Sequence, residues 1–118
     1  PCGVGTSTAT EEARDRLKRH AMLDRFSIVV GGDQIRRGKP DPETFLKVAQ
    51  ALVHPPEHCL VFEDAHSGVL AARAAGMSVV LIPDLLPATA EITAQASGVF
   101  PSLQHAVDWL STLPKSGR

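Results

Sequence analysis

The chain has 118 residues, 43% hydrophobic and 21% charged, which suits one domain with an ordinary buried core. Twelve Lys and Arg against thirteen Asp and Glu leave a formal net charge of −1 with no long run of one sign, so nothing supports a nucleic-acid footprint or a polybasic membrane patch. The longest apolar runs are strand-sized, too short to span a bilayer, and the opening residues show no signal-peptide pattern.

In chain order, Gly3-Val4-Gly5 reads as the end of a short strand. Pro1 in place of Met, with a strand already under way, predicts that the chain is part of something longer. Thr8 and Glu11 have the spacing of a capping box, and Ala13, Leu17 and Ala21 follow on one helical face. Ser27 to Val30 is a second strand, closed by Gly31-Gly32. Asp41 is placed to cap a helix with Pro42 at its first position, and Phe45, Val48, Ala49 and Leu52 form its apolar stripe. Cys59 to Phe62 is a third strand, apolar on both faces as a central parallel strand would be. Ser67 to Ala75 is an Ala-rich helix ended by Gly76, Ser78 to Ile82 a fourth strand, and Ala88 to Ala96 a further helix. Val99-Phe100 reads as a short edge strand, and Leu103, Ala106, Val107 and Leu110 mark a last helix. Trp109 is expected to pack in the core or a groove. Cys2 and Cys59 are expected to be buried and reduced, which fits a cytoplasmic setting.

This alternation implies a parallel sheet with helices on both faces, and ligands in such sheets bind at the C-terminal ends of the strands. Three groups fall there. Thr6-Ser7 offers hydroxyls and backbone N–H groups at a helix start, which suit either an anion or a plain cap. Lys39, between Gly38 and the rigid Pro40-Asp41-Pro42, is either a solvated charge or a fixed ammonium beside a phosphate, with Gly38 allowing a close backbone approach. Glu63-Asp64 ends a buried strand with two adjacent carboxylates; these are either capping acids or ligands of a hard divalent cation. His66, Asp33, Arg36 and Arg37 are read as a solvent-facing helix start, a turn residue and loop charges.

Taken in order, Thr6-Ser7, Gly38 to Pro42, Phe62 to Val69 and Ala71 to Met77 closely resemble the second, third and fourth motifs of the haloacid dehalogenase superfamily. The resemblance lies in the branch holding β-phosphoglucomutase-like and pseudouridine-monophosphatase-like enzymes. It covers nearly the whole chain and implies a Rossmann-like three-layer α/β sandwich, with residues 1–118 forming the C-terminal part of its core domain. It implies a Mg²⁺-dependent hydrolase of small phosphorylated metabolites that works through an aspartyl-phosphate, Mg²⁺ being the cofactor. Thr6 and Ser7 would bind the phosphoryl group, Lys39 would steady its charge, Asp64 would bind the ion, and Glu63 would bind it directly or through water.

One departure is large: no Asp-x-Asp motif occurs, so the strand bearing the nucleophile and the cap that follows it are missing from these residues. A smaller one is Ala65, where many relatives carry Ser. The chain alone is therefore expected to be inactive and to need an N-terminal segment or a second chain to complete its sheet. A phosphomutase of the same branch, a non-catalytic interaction module and a phospho-accepting receiver domain are the competing readings. The last fits the Gly-Val and Ala-rich helix poorly.

Overall fold

The structure is a computed structural model that describes residues 1–84 and 86–114. Its strands are β1 (Gly3–Gly5), β2 (Ile28–Val30), β3 (Leu60–Glu63), β4 (Ser78–Leu81) and β5 (Gly98–Val99). Its helices are α1 (Thr10–Arg19), α2 (Glu43–Leu52), α3 (His66–Ala74), α4 (Ala90–Gln95) and α5 (Leu103–Ser111). All pairings are parallel, which confirms the expected α/β class.

The strands form two sheets, β1–β2 and β3–β4–β5. Among the described residues no ladder joins β1 to β3. β3, expected to be apolar on both faces as a central strand would be, is an edge strand among these residues. It pairs on one side only, Val61 alone is buried along it, and Phe62 remains 40% exposed. The central strand is β4, whose Val79, Val80 and Leu81 are fully buried. The main core lies around it, with Val69, Ala71 and Ala72 of α3, Met77, Ile92 and, from the other half, Phe45 and Ala49 of α2.

Around β1 and β2 the chain is held differently. A Cβ on Gly5 would stand 2.9 Å from the Thr44 methyl, so α2 lies directly on the β1 backbone, with Thr44 and Val48 buried. The capping box expected at Thr8 and Glu11 does not form. Helix α1 begins at Thr10 after an uncapped Ala9, because Thr8 is drawn the other way: its N–H donates to the Thr6 hydroxyl and its carbonyl accepts from Gly32. The cap comes from far along the chain. Asp33 accepts from the Thr10 N–H at 2.6 Å and the Thr10 hydroxyl at 2.7 Å, and these bonds hold its carboxyl below the ordinary range. Asp33 is thus more than the turn residue expected.

Asp41 accepts from the Glu43 N–H at 3.0 Å, but α2 starts one residue later than expected, with Pro42 in the cap position instead of at the first helical one. Glu43 in turn accepts from the backbone N–H groups of Arg36 and Arg37, which lowers its pKa. At the end of α2 the chain turns through Val53 at φ 59°, a left-handed conformation that β-branched residues rarely adopt. Gly76, at φ 83°, follows α3 as expected.

Helix α5 forms where expected and buries Ala106, while Leu103, Val107 and Leu110 stay exposed. Trp109 stacks on Phe100 with ring centroids 5.4 Å apart. Both cysteines are free thiols; Cys2 is exposed rather than buried, and burial pushes the Cys59 thiol up. No helix among the described residues is long and apolar enough to cross a membrane.

Candidate active site

A cleft of about 630 Å³ opens where the C-terminal ends of β1, β3 and β4 meet. Its lining includes Thr6 after β1, Lys39 from the loop before α2, Glu63 and Asp64 at the end of β3, and Asp84 after β4. A parallel strand delivers the residue after it to one edge of the sheet, which brings Thr6, Asp64 and Asp84 there, while Lys39 arrives on the loop between β2 and α2. Thr6, Lys39, Glu63 and Asp64, separated by up to 58 positions in the chain, therefore share one cleft. Ser7 does not line it and is exposed.

Lys39 ties the two halves together. Its ammonium donates to Glu63 Oε2 at 2.6 Å and to the Gly5 carbonyl at 3.3 Å, and stands 4.8 Å from the Phe45 ring centroid. Both side chains of the ion pair are well covered, at 17% and 9% exposure. The contact is a charge-assisted hydrogen bond between the edges of two otherwise unpaired sheets. Gly38 serves no close approach within the chain, since nothing lies within 4 Å of where its Cβ would stand.

Glu63 and Asp64 play different parts despite being neighbours. Glu63 Oε2 is taken by Lys39, and Oε1 accepts from the backbone N–H groups of Asp64 at 3.1 Å and Ala65 at 3.4 Å. Its carboxylate lies at the start of α3, where N–H groups favour negative charge. Asp64 is exposed, lines the cleft and makes no side-chain hydrogen bond or ion pair among the described residues. A hard divalent cation takes oxygen ligands and shares them with phosphate and water, so the Asp64 carboxylate fits such an ion. The arrangement is partial: no group of three or more His, Cys, Asp or Glu that could hold a metal occurs among the described residues.

Two features were not anticipated. Asp84 reaches the cleft by the strand-end rule that located Thr6 and Asp64, and its position just after β4 was the available signal. His66, expected to face solvent, is half-buried, with Nε2 3.0 Å from the Pro87 carbonyl. It thereby links the start of α3 to the segment that follows β4.

Comparison with known proteins extends this picture. Residues 1–82 match the family described as haloacid dehalogenase-like hydrolase. A phosphorylated carbohydrates phosphatase of Thermotoga maritima is 47% identical over 74 residues, 63% of this chain and 34% of that protein. A β-phosphoglucomutase of Bacillus subtilis is 36% identical over 77 residues, 65% of this chain and 34% of that protein. Among solved structures, a HAD phosphatase from Thermococcus onnurineus superposes with a TM-score of 0.79 at 27% identity, over 92% of this chain and 49% of that one. The chain thus spans about a third of the length of these two curated relatives.

Proposed function

This chain is a member of the haloacid dehalogenase-like hydrolase family, and on that premise we propose that the protein carrying it is a Mg²⁺-dependent hydrolase of small phosphoric monoesters. The observation that carries the reading is the shared cleft: a hydroxyl (Thr6), a fixed ammonium (Lys39) and an uncommitted carboxylate (Asp64) at one sheet edge. Phosphoryl transfer demands little covalent work of a protein beyond positioning and charge stabilisation, and these groups supply both.

The Thr6 hydroxyl accepts from the Thr8 N–H and keeps its own proton to donate to a phosphoryl oxygen. Lys39 offsets charge on the transferring group. It is held for this by Glu63, which leaves donor capacity on an ammonium that has three protons. Asp64 would hold Mg²⁺, with phosphate and water completing the shell; when bound, the ion polarises the phosphoryl oxygens. Ser7, which lies outside the cleft, has no part in this reading.

The nucleophilic aspartate belongs to polypeptide beyond these residues, on a strand that pairs with both β1 and β3. What supports this is the pair of strands left without a shared ladder, with Lys39 reaching from the Gly5 carbonyl to Glu63, together with the apolar Phe62 exposed on β3. Unpaired backbone at such edges is costly. On this reading the chain alone is inactive.

The similarity to a β-phosphoglucomutase supports a second reading, isomerisation of a sugar phosphate at the same cleft. Both are tested by incubating the gene-encoded protein with a panel of sugar and nucleoside monophosphates, with and without Mg²⁺. Mg²⁺-dependent phosphate release, lost in Asp64→Ala, supports hydrolysis. A changed phosphate position without release supports the mutase, and no reaction with any ester contradicts both.

A further inference from the structure

We propose that Gly68 is a positioning residue for Lys39, acting through Glu63: the missing Cβ leaves the space in which the Glu63 carboxylate lies as it grips the ammonium. A Cβ built on Gly68 would stand 1.9 Å from Glu63 Cδ, 2.0 Å from Cγ and 2.3 Å from Oε2. Carbon atoms that are not bonded make contact at about 3.5–4.0 Å, so the two groups cannot coexist. The three nearest atoms all belong to the Glu63 side chain, so Glu63 is the first group a Cβ at this position would meet.

Glu63 can move, being flexible, but not without letting go of Lys39. Its Oε2 is both the atom 2.3 Å from the would-be Cβ and the atom 2.6 Å from Lys39 Nζ. The remaining contacts of the ammonium, the Gly5 carbonyl at 3.3 Å and the Phe45 ring at 4.8 Å, are longer and uncharged. Gly68 occupies the third position of α3, where glycine is the poorer choice for helix stability. Ala71 and Ala72 show that this helix otherwise accepts alanine on its buried side. A glycine there needs a reason other than the helix, and the Glu63 carboxylate provides it.

The inference rests on the phosphoryl-transfer reading only for its effect on turnover; the contact itself does not. The test is a double-mutant cycle of Gly68→Ala and Glu63→Ala in the gene-encoded protein, read first by the rate of reductive methylation at Lys39 using peptide mass spectrometry. Gly68→Ala should raise that rate several-fold, to the rate of Glu63→Ala, and the double variant should add nothing further. Thermal melting gives the sign: Gly68→Ala should lower Tm by about 5 °C in the native background, yet leave it unchanged or raised in the Glu63→Ala background. Lys39 reactivity unaltered by Gly68→Ala, or an equal loss of Tm in both backgrounds, overturns the proposal. If Gly68→Ala does not fold, the double variant must; failure of both to fold overturns it as well. Absence of turnover in every variant, with the methylation cycle intact, would instead count against the phosphatase reading while supporting this one.

Discussion

The two halves of the molecule are built on different principles. Around β4 the chain is held by apolar burial: Val69, Ala71, Ala72, Val79, Val80 and Leu81 are all fully buried. Around β1 and β2, where the strands are three residues long, side-chain-to-backbone contacts join the burial of Val29, Val30 and Val48 in the fastening. Asp33 holds Thr10 across 23 positions, Gln34 donates to the Thr10 hydroxyl across 24, and Glu43 gathers the Arg36 and Arg37 amides. The cleft lies where the halves meet, so each supplies part of its lining. The polar half contributes Thr6 and Lys39, and the apolar half contributes Glu63 and Asp64. A charged cleft group is costly to seat in a dry core and inexpensive to seat at its margin.

The contrast is broken or sharpened by a graded set of substitutions. The largest stability effect should follow Leu81→Ala, which removes a fully buried side chain from the central strand and should cost about 3 kcal/mol by urea unfolding. Asp33→Asn should cost less. A loss equal to that of Leu81→Ala would show that the polar half is not the weaker one.

Its effect should also depend on pH. The Thr10 hydroxyl and N–H hold the Asp33 carboxyl below its ordinary value of 3.8, so the folded state binds its proton less readily than the unfolded chain does. The stabilisation is present above pH 3.8 and is lost as pH falls through the lower folded value. Asp33→Asn should therefore flatten the acid limb of the stability profile in unfolding midpoints taken between about pH 5 and pH 2. An unchanged limb would contradict the Thr10 contact. The smallest effect is expected at Val53, 85% exposed at φ 59°, where Val53→Gly should raise stability by about 1 kcal/mol.

Much of this was legible in the sequence, and the failures have physical causes. The strand-end rule located Thr6, Lys39 and Asp64 because parallel topology fixes which end of a strand faces the ligand. The helical stripe of α2 was readable because Phe45, Val48 and Ala49 repeat at the helical period, and all three are buried. Periodicity reports which residues share a face, not whether anything covers it: Leu103, Val107 and Leu110 mark α5 and yet stay exposed. The unpaired edge of β3 was legible not from its apolar run but from the lack of an Asp-x-Asp strand in these residues. The capping of Thr10 by Asp33 was hidden because it depends on tertiary contact, while local spacing pointed to Thr8 and Glu11. The unlike roles of Glu63 and Asp64 could not be told from two adjacent acids; they are separated by the rotation of a single residue and by the space left at Gly68.

The central claim is that the two halves meet in a phosphoryl-transfer cleft whose charge is supplied by Lys39 and whose ion is held by Asp64. It is tested most directly by measuring, on Lys39→Ala of the gene-encoded protein, both kcat for a turned-over phosphate monoester and the Mg²⁺ concentration at half-maximal rate. The account predicts a fall in kcat of about 100-fold or more, the range seen when one charge-stabilising donor is removed, with the Mg²⁺ requirement little changed. An unchanged kcat, or a loss that added Mg²⁺ restores in full, would contradict it.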